Sequence, residues 1–178
     1  IPAISASATE EGLTEENDWY FRMILNSRSQ AVFLAHYVKR VLNRQTVSII
    51  YDRNSYGISL AKTFETSFIN AGGAVKHQWS FDADAENIDQ EIAELVSTIT
   101  QTLRSLVGEE PGTIFLAAQP TDAARIVALL KRQGMEYPFI GADTLGNRIF
   151  AEQFTHYAEE REHPGYFSEG IYAISPLL

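Results

Sequence analysis

Residues 47–73 read VSIIYDRNSYGISLAKTFETSFINAGG and contain the pattern that decides the fold. Val47–Tyr51 is rich in β-branched residues and apolar, which predicts a buried strand. Gly57–Ala71 follows with apolar residues at every third or fourth position, which predicts a helix that packs one face inward. Gly72 and Gly73 are typical helix terminators. The stretch therefore predicts a strand followed directly by a covering helix.

The same alternation continues in both directions from this unit. Helices that separate continuous apolar strands indicate βαβ units, hence a mostly parallel sheet covered on both faces. We therefore predict an α/β fold, a three-layer doubly wound domain. The further predicted strands are Tyr20–Leu25, Ala74–Phe81, Thr113–Ala117, Pro138–Gly141 and Glu169–Ile174; the further helices run through Ala31–Leu42, Ile88–Leu106, Thr121–Gln133 (with Thr121 as its cap) and Leu145–Phe154.

Two stretches do not fit this core. Ile1–Asp18 begins like a strand and becomes acidic, and Tyr157–Phe167 is polar enough to predict a surface excursion. The start at Ile1 has neither a Met nor the basic region of a signal peptide, so we expect it to be a cut within a longer protein.

Composition excludes several function classes. The formal net charge of -9 argues against a nucleic-acid partner, because phosphate binding relies on clustered Lys and Arg. The absence of Cys excludes disulfides and thiolate chemistry. No apolar run approaches the roughly 18 residues that a membrane span needs.

Catalytic patterns are also missing from the sequence. The four His residues share no metal-ligand spacing, and the phosphate-binding, dinucleotide-binding and nucleophile-elbow glycine motifs do not occur. The paired glutamates are adjacent in sequence, so their side chains point in different directions on a helix or strand. We therefore expect them to lie on a solvated surface rather than to form an acid/base pair. We predict that the protein is not an enzyme and uses no metal or cofactor.

Polar residues follow several predicted strands at their carboxyl ends, where open α/β sheets bind ligands. Tyr56 follows Val47–Tyr51, Gln119 follows Thr113–Ala117, and Asp143 follows Pro138–Gly141. Loops in such places also need polar turn and capping residues for structural reasons alone, and both interpretations stay open at each position. Together, these residues predict a binding site along one edge of the sheet.

A series of short motifs runs along nearly the whole chain. The motifs are Ile4–Thr9 with Leu13–Thr14, then Tyr20–Arg22, Gln30, Val47–Asp52 with Tyr56–Gly57, Ala71–Gly73, Gly134, Ile140–Asp143 and Glu169–Tyr172. In kind and order they resemble the motifs of the leucine/isoleucine/valine-binding proteins, a family of type I periplasmic solute-binding proteins.

This resemblance implies a hinged clamp of two lobes that closes on an amino acid or similar small carboxylate. Residues 1–18 would be the end of the first lobe and a crossing segment, and residues 19–178 the second ligand-binding lobe. The family's location is periplasmic or extracellular, and its partner is the membrane permease of an ABC transporter.

The resemblance also implies roles for individual residues. Ser7, Ala8 and Thr9 would hold the ligand carboxylate, Tyr56 would cover the ligand, and Asp143 would pair with its α-ammonium group. Gln119, aligned after a one-residue gap, lies near a position where some members place an aromatic residue, so the identity of the ligand stays open.

Three alternatives to transport remain. The same fold serves as the extracellular sensor of membrane kinases or cyclases, in which case the partner is a signalling domain of the parent protein. It also serves as the effector domain of LacI-like regulators, against which the acidic charge counts. The third alternative is an enzyme of doubly wound fold, against which the lack of a catalytic constellation in this sequence counts.

Overall fold

The computed structural model describes residues 1–6, 8–9, 14, 19–105 and 111–175. Its strands are β1 (Ala3–Ser5), β2 (Tyr20–Arg22), β3 (Thr46–Asp52), β4 (Ala74–Phe81), β5 (Thr113–Ala117), β6 (Phe139–Gly141) and β7 (Ile171–Ala173). Its helices are α1 (Ser27–Arg40), α2 (Ser55–Asn70), α3 (Ile88–Ser105), α4 (Pro120–Arg132), α5 (Arg148–Glu152) and α6 (Ala158–Glu162), with a 3₁₀ turn over Gln153–His156 between the last two.

Five strands form one sheet in the order β4-β3-β5-β6-β7, and every neighbouring pair is parallel. Counted from β3, this is the order 2-1-3-4-5, in which the chain reverses direction across the sheet between β3 and β5. The predicted parallel, doubly wound α/β sheet is confirmed.

The central strands are buried on both faces because helices cover each side. Ile49 and Ile50 are both 0% exposed, and alternation along β3 sends their side chains to opposite faces. Ile49 packs in the cluster that includes residues of α1 and α2, where the Phe64 ring stacks on Phe115. Ile50 packs in the cluster with residues of α3 and α4. This burial explains why β3 is an almost unbroken apolar run.

Local chemistry moves two helix starts away from the predicted positions. Helix α2 begins at Ser55 rather than Gly57 because the Asn54 side chain caps it, accepting a hydrogen bond from Gly57 N at 2.8 Å. The prediction of Thr121 as the cap of α4 is wrong. Pro120 takes the first helical position, where its fixed φ is favourable, and Gln119 becomes the N-cap.

The excursion over Tyr157–Phe167 lies at the surface, as predicted, but its last residue packs into the domain. Phe167 is 0% exposed, and α6 forms within the segment. The Arg132 guanidinium lies 4.7 Å from the Tyr157 ring centroid and donates two hydrogen bonds to the Glu159 carboxylate. Contacts with α4 therefore anchor a stretch whose composition alone predicts solvation.

The amino-terminal strand pairs outside the main sheet, and so does β2, although the sequence predicted Tyr20–Leu25 as an edge strand. β1 and β2 form a separate two-stranded parallel sheet in which Ile4 is the register partner of Phe21. Ile4 is 69% exposed and Phe21 is 52% exposed. Ile1–Ile4 therefore lies away from the five-stranded sheet, as expected. No helix in the described part of the chain is both long and apolar enough to cross a membrane.

Gly57 lies where the first turn of α2 touches the end of β3. A Cβ at this position would lie 2.2 Å from the Asp52 carbonyl oxygen, which no side chain tolerates without a backbone shift. We expect Gly57→Ala to lower the free energy of unfolding by about 1–3 kcal/mol, the usual cost of overpacking. Thr66→Ala, at an exposed position of the same helix, is the control and should change it by less than about 1 kcal/mol. Urea denaturation measures both; a Gly57→Ala protein as stable as the control would contradict this close contact.

Candidate functional site

The predicted site residues of the second lobe follow strands that run in the same direction. Tyr56 follows β3, Gln119 follows β5 and Asp143 follows β6. Because β5 pairs in parallel with both β3 and β6, the three loops emerge at the same, carboxyl edge of the sheet. This edge includes the point where the strand order reverses, which is the usual binding crevice of such sheets.

Tyr56 reaches across this edge toward the loop after β6. Its phenol oxygen Oη lies 3.4 Å from Thr144 Oγ1, and its ring packs against the apolar cluster beneath α2. Burial and the nearby negative charge of Asp143 raise the pKa of Tyr56 to about 12, although the hydrogen bond with Thr144 acts in the opposite direction. Tyr56 therefore stays protonated at neutral pH and can donate a hydrogen bond.

The loop after β6 holds the Asp143 backbone in place. Asp143 N donates to the Gln30 Oε1 atom at 3.0 Å, and the Asp143 carbonyl accepts from Gly146 N at 3.1 Å. The residue is half-buried. Among the described residues, no hydrogen bond or ion pair engages its carboxylate. A carboxylate in this state can accept a cationic group of a ligand without first breaking an internal contact.

Gln119 lies between these two loops along the edge. It is exposed, and as the N-cap of α4 its side chain makes no capping hydrogen bond. The side chain is therefore not held by the start of the helix and is accessible at the carboxyl edge.

The segment predicted to hold the ligand carboxylate is described only in part, because Ser7 lies outside the described residues. Ala8 N donates to Ser5 Oγ at 2.9 Å, so this amide is already engaged within the segment. The Thr9 carbonyl accepts from Ser27 N at 2.9 Å and Ser27 Oγ at 3.2 Å. Thr9 is thereby attached to the amino end of α1 at Ser27, three residues before the glutamine that contacts Asp143.

Two residues of this site were not among the predicted binding residues. Thr144 follows the same predicted strand as Asp143, and this placement is the signal that could have identified it. Gln30 appeared only within the family resemblance. Its own signal is a polar residue on the apolar face of a helix, beside Ala31 and Leu34, where it is 0% exposed.

A cavity of about 530 Å³ lies at the opposite, amino-terminal edge of the sheet, bordered by Arg44, Lys131 and Tyr166. Its partly buried cation is already engaged, since Lys131 Nζ donates to the Tyr166 carbonyl at 3.2 Å and the Glu169 carbonyl at 2.7 Å. We do not assign it as the main site, because the strand loops that supply polar groups in this fold lie at the other edge. The described residues hold no group of three or more His, Cys, Asp and Glu suited to a metal ion.

Comparison with known proteins identifies related molecules. The family model described as "Receptor family ligand binding region" matches residues 1–162. The branched-chain amino acid transporter substrate-binding protein LivJ of Streptococcus pneumoniae, solved with isoleucine, is 25% identical with a TM-score of 0.68, over 87% of this chain and 41% of that one. No curated protein matches the chain.

Two further structures share the fold at lower identity. A putative branched-chain amino acid ABC transporter protein from Rhodospirillum rubrum is 22% identical with a TM-score of 0.68, over 97% of this chain and 44% of that one. The leucine-binding protein LivK of Thermotoga maritima is 16% identical with a TM-score of 0.65, over 89% and 41%. The chain thus spans about two fifths of the length of these proteins.

The raised pKa of Tyr56 has a consequence for stability at alkaline pH. The unfolded chain releases this proton near pH 10, whereas the folded protein retains it to about pH 12, so ionisation favours unfolding between these values. We expect the free energy of unfolding to fall by about 2 kcal/mol across this window through Tyr56 alone. Tyr56→Phe should lack this decrease in the free energy of unfolding. Tyr172→Phe, at a more exposed tyrosine, should still show it. Urea unfolding between pH 9 and pH 11.5 measures the difference; parallel curves for both variants would refute the assignment.

Proposed function

Since this chain belongs to the family described as the receptor family ligand-binding region, we propose that it forms one jaw of a hinged clamp that binds an amino acid. The observation that carries the proposal is the contact of Tyr56 Oη with Thr144 Oγ1 at 3.4 Å. It brings a protonated phenol from the first turn of α2 near the carboxylate of Asp143, which the described residues do not engage.

The two groups complement the chemistry of a zwitterion. Asp143 pairs with the α-ammonium group, and Tyr56 covers the ligand and donates to an acceptor on it. Ser7 and Thr9 hold the ligand carboxylate, since oriented N–H and hydroxyl donors suit an anion that must leave water. Ala8 comes between them in the sequence and lines the same place without donating, because its N–H already donates to Ser5 Oγ. Gln119 lines the same edge. Closure of the second jaw excludes water, which strengthens each of these charge-assisted contacts.

The placement of the amino-terminal segment supports a division of the chain into two parts. Residues 1–18 are proposed as the end of the first lobe and a crossing segment, and residues 19–178 as the second lobe. β1 lies outside the five-stranded sheet, and the chain spans 41% of LivJ. Both observations fit a chain that contains one jaw and the connection to the other.

The cellular role proposed for the full-length protein is uptake through an ABC transporter, with a membrane permease as partner and a periplasmic or extracellular location. The descriptions of LivJ and of the Rhodospirillum rubrum protein, which name such transporters, support it. The description of the matched family names receptors. That wording favours a second candidate, in which the same site serves a membrane signalling receptor.

The experiment that tests this function removes the Asp143 charge. The twenty standard amino acids are screened by thermal shift with the full-length protein, and the tightest binder is measured by calorimetry. We expect Asp143→Asn to weaken its binding about 30-fold, the equivalent of about 2 kcal/mol for a lost charge-assisted hydrogen bond. The matched control is Glu162→Gln, which removes one negative charge from an exposed position on α6. Absence of binding by any amino acid, or equal losses in the two variants, would overturn the proposal.

A further inference from the structure

Gln30 is a buried amide that connects two distant parts of the chain. Its side chain is 0% exposed, on the first turn of α1. Nε2–H donates to the Leu25 carbonyl at 3.0 Å, and Oε1 accepts from Asp143 N at 3.0 Å. The second of these bonds joins residues 113 positions apart.

These two bonds require a side-chain amide. The Leu25 carbonyl is only an acceptor and the Asp143 N–H is only a donor, so the orientation of the Gln30 amide is determined by its partners. A glutamate carboxylate lacks the donor, and a methionine of similar length lacks both groups. Loss of Gln30 would leave the Asp143 N–H donor, at a half-buried residue, and the Leu25 carbonyl acceptor without this partner.

The first turn of α1 also holds the segment that precedes it. Ser27 donates through N and Oγ to the Thr9 carbonyl. Leu25 lies between β2 and α1. One helical turn therefore contacts the segment proposed to hold the ligand carboxylate, the stretch between β2 and α1, and the loop proposed to hold the ligand ammonium group.

We propose that Gln30 is a positioning residue that sets the Asp143 carboxylate for recognition of the ligand's ammonium group. This inference rests on the proposed function and goes beyond it, since Gln30 itself does not touch the ligand. Its specific consequence is selectivity. Gln30 supports binding of compounds that have an ammonium group and has little effect on binding of the same carbon skeleton without one.

The test compares two probes on the full-length protein by calorimetry. Isoleucine has the ammonium group, and 3-methylpentanoate is the same molecule without it. We expect Gln30→Met to weaken isoleucine binding about tenfold and to change 3-methylpentanoate binding less than about threefold. Val38→Ala, at a buried position on the same helix, is the control for lost stability and should leave the ratio of the two affinities unchanged. Equal weakening of both probes, or of neither, by Gln30→Met would overturn the inference.

A second measurement separates this inference from the proposed function. If the unaltered protein binds none of the twenty standard amino acids, the proposed function fails. In that case, and also when only the two probes fail to bind, exchange of the Asp143 backbone amide with solvent decides the role of Gln30. We expect Gln30→Met to increase that exchange rate at least about tenfold relative to Val38→Ala, because the amide loses its acceptor. An unchanged rate would show that Gln30 does not hold the loop.

Discussion

The parallel pairing of β3, β5 and β6 is the constraint on which the rest of the molecule depends. Parallel neighbours cannot be joined by a tight turn, so each connection crosses the sheet through a helix and covers one of its faces. The strands are consequently buried on both sides, and their carboxyl ends all meet at one edge. Tyr56, Gln119 and Asp143, which are far apart in sequence, become neighbours of the same edge for this reason alone.

The electrostatics of that edge favour a cation on one side and a neutral donor on the other. Asp143 keeps a half-buried carboxylate that the described residues do not engage. Tyr56 keeps its proton because burial and the Asp143 charge raise its pKa. This pair of groups is the basis of the proposal that the edge binds a small zwitterion.

The parts of the fold that the sequence predicted well are those governed by local pattern. The bounds of β4 and β5 agree with the prediction at both ends, because Gly73 and Gly112 interrupt the chain just before these apolar strands. The joint placement of Tyr56 and Asp143 at one edge followed from strand direction. Helix starts were less accurate, since Pro120 and Asn54 compete with other plausible caps.

Long-range contacts lay beyond what local pattern contains. The burial of Phe167 depends on α4, and the bond from Asp143 to Gln30 spans 113 residues. The spacing of residues in the sequence predicts neither the partner of the Gln30 side chain nor that of the polar excursion. The most direct measurement of the central claim is a crystal structure of the full-length protein with its tightest-binding amino acid. The ligand should lie at the carboxyl edge, with its ammonium group within about 3 Å of the Asp143 carboxylate and Tyr56 over it. A ligand bound at the opposite edge, in the cavity beside Lys131, would contradict the account.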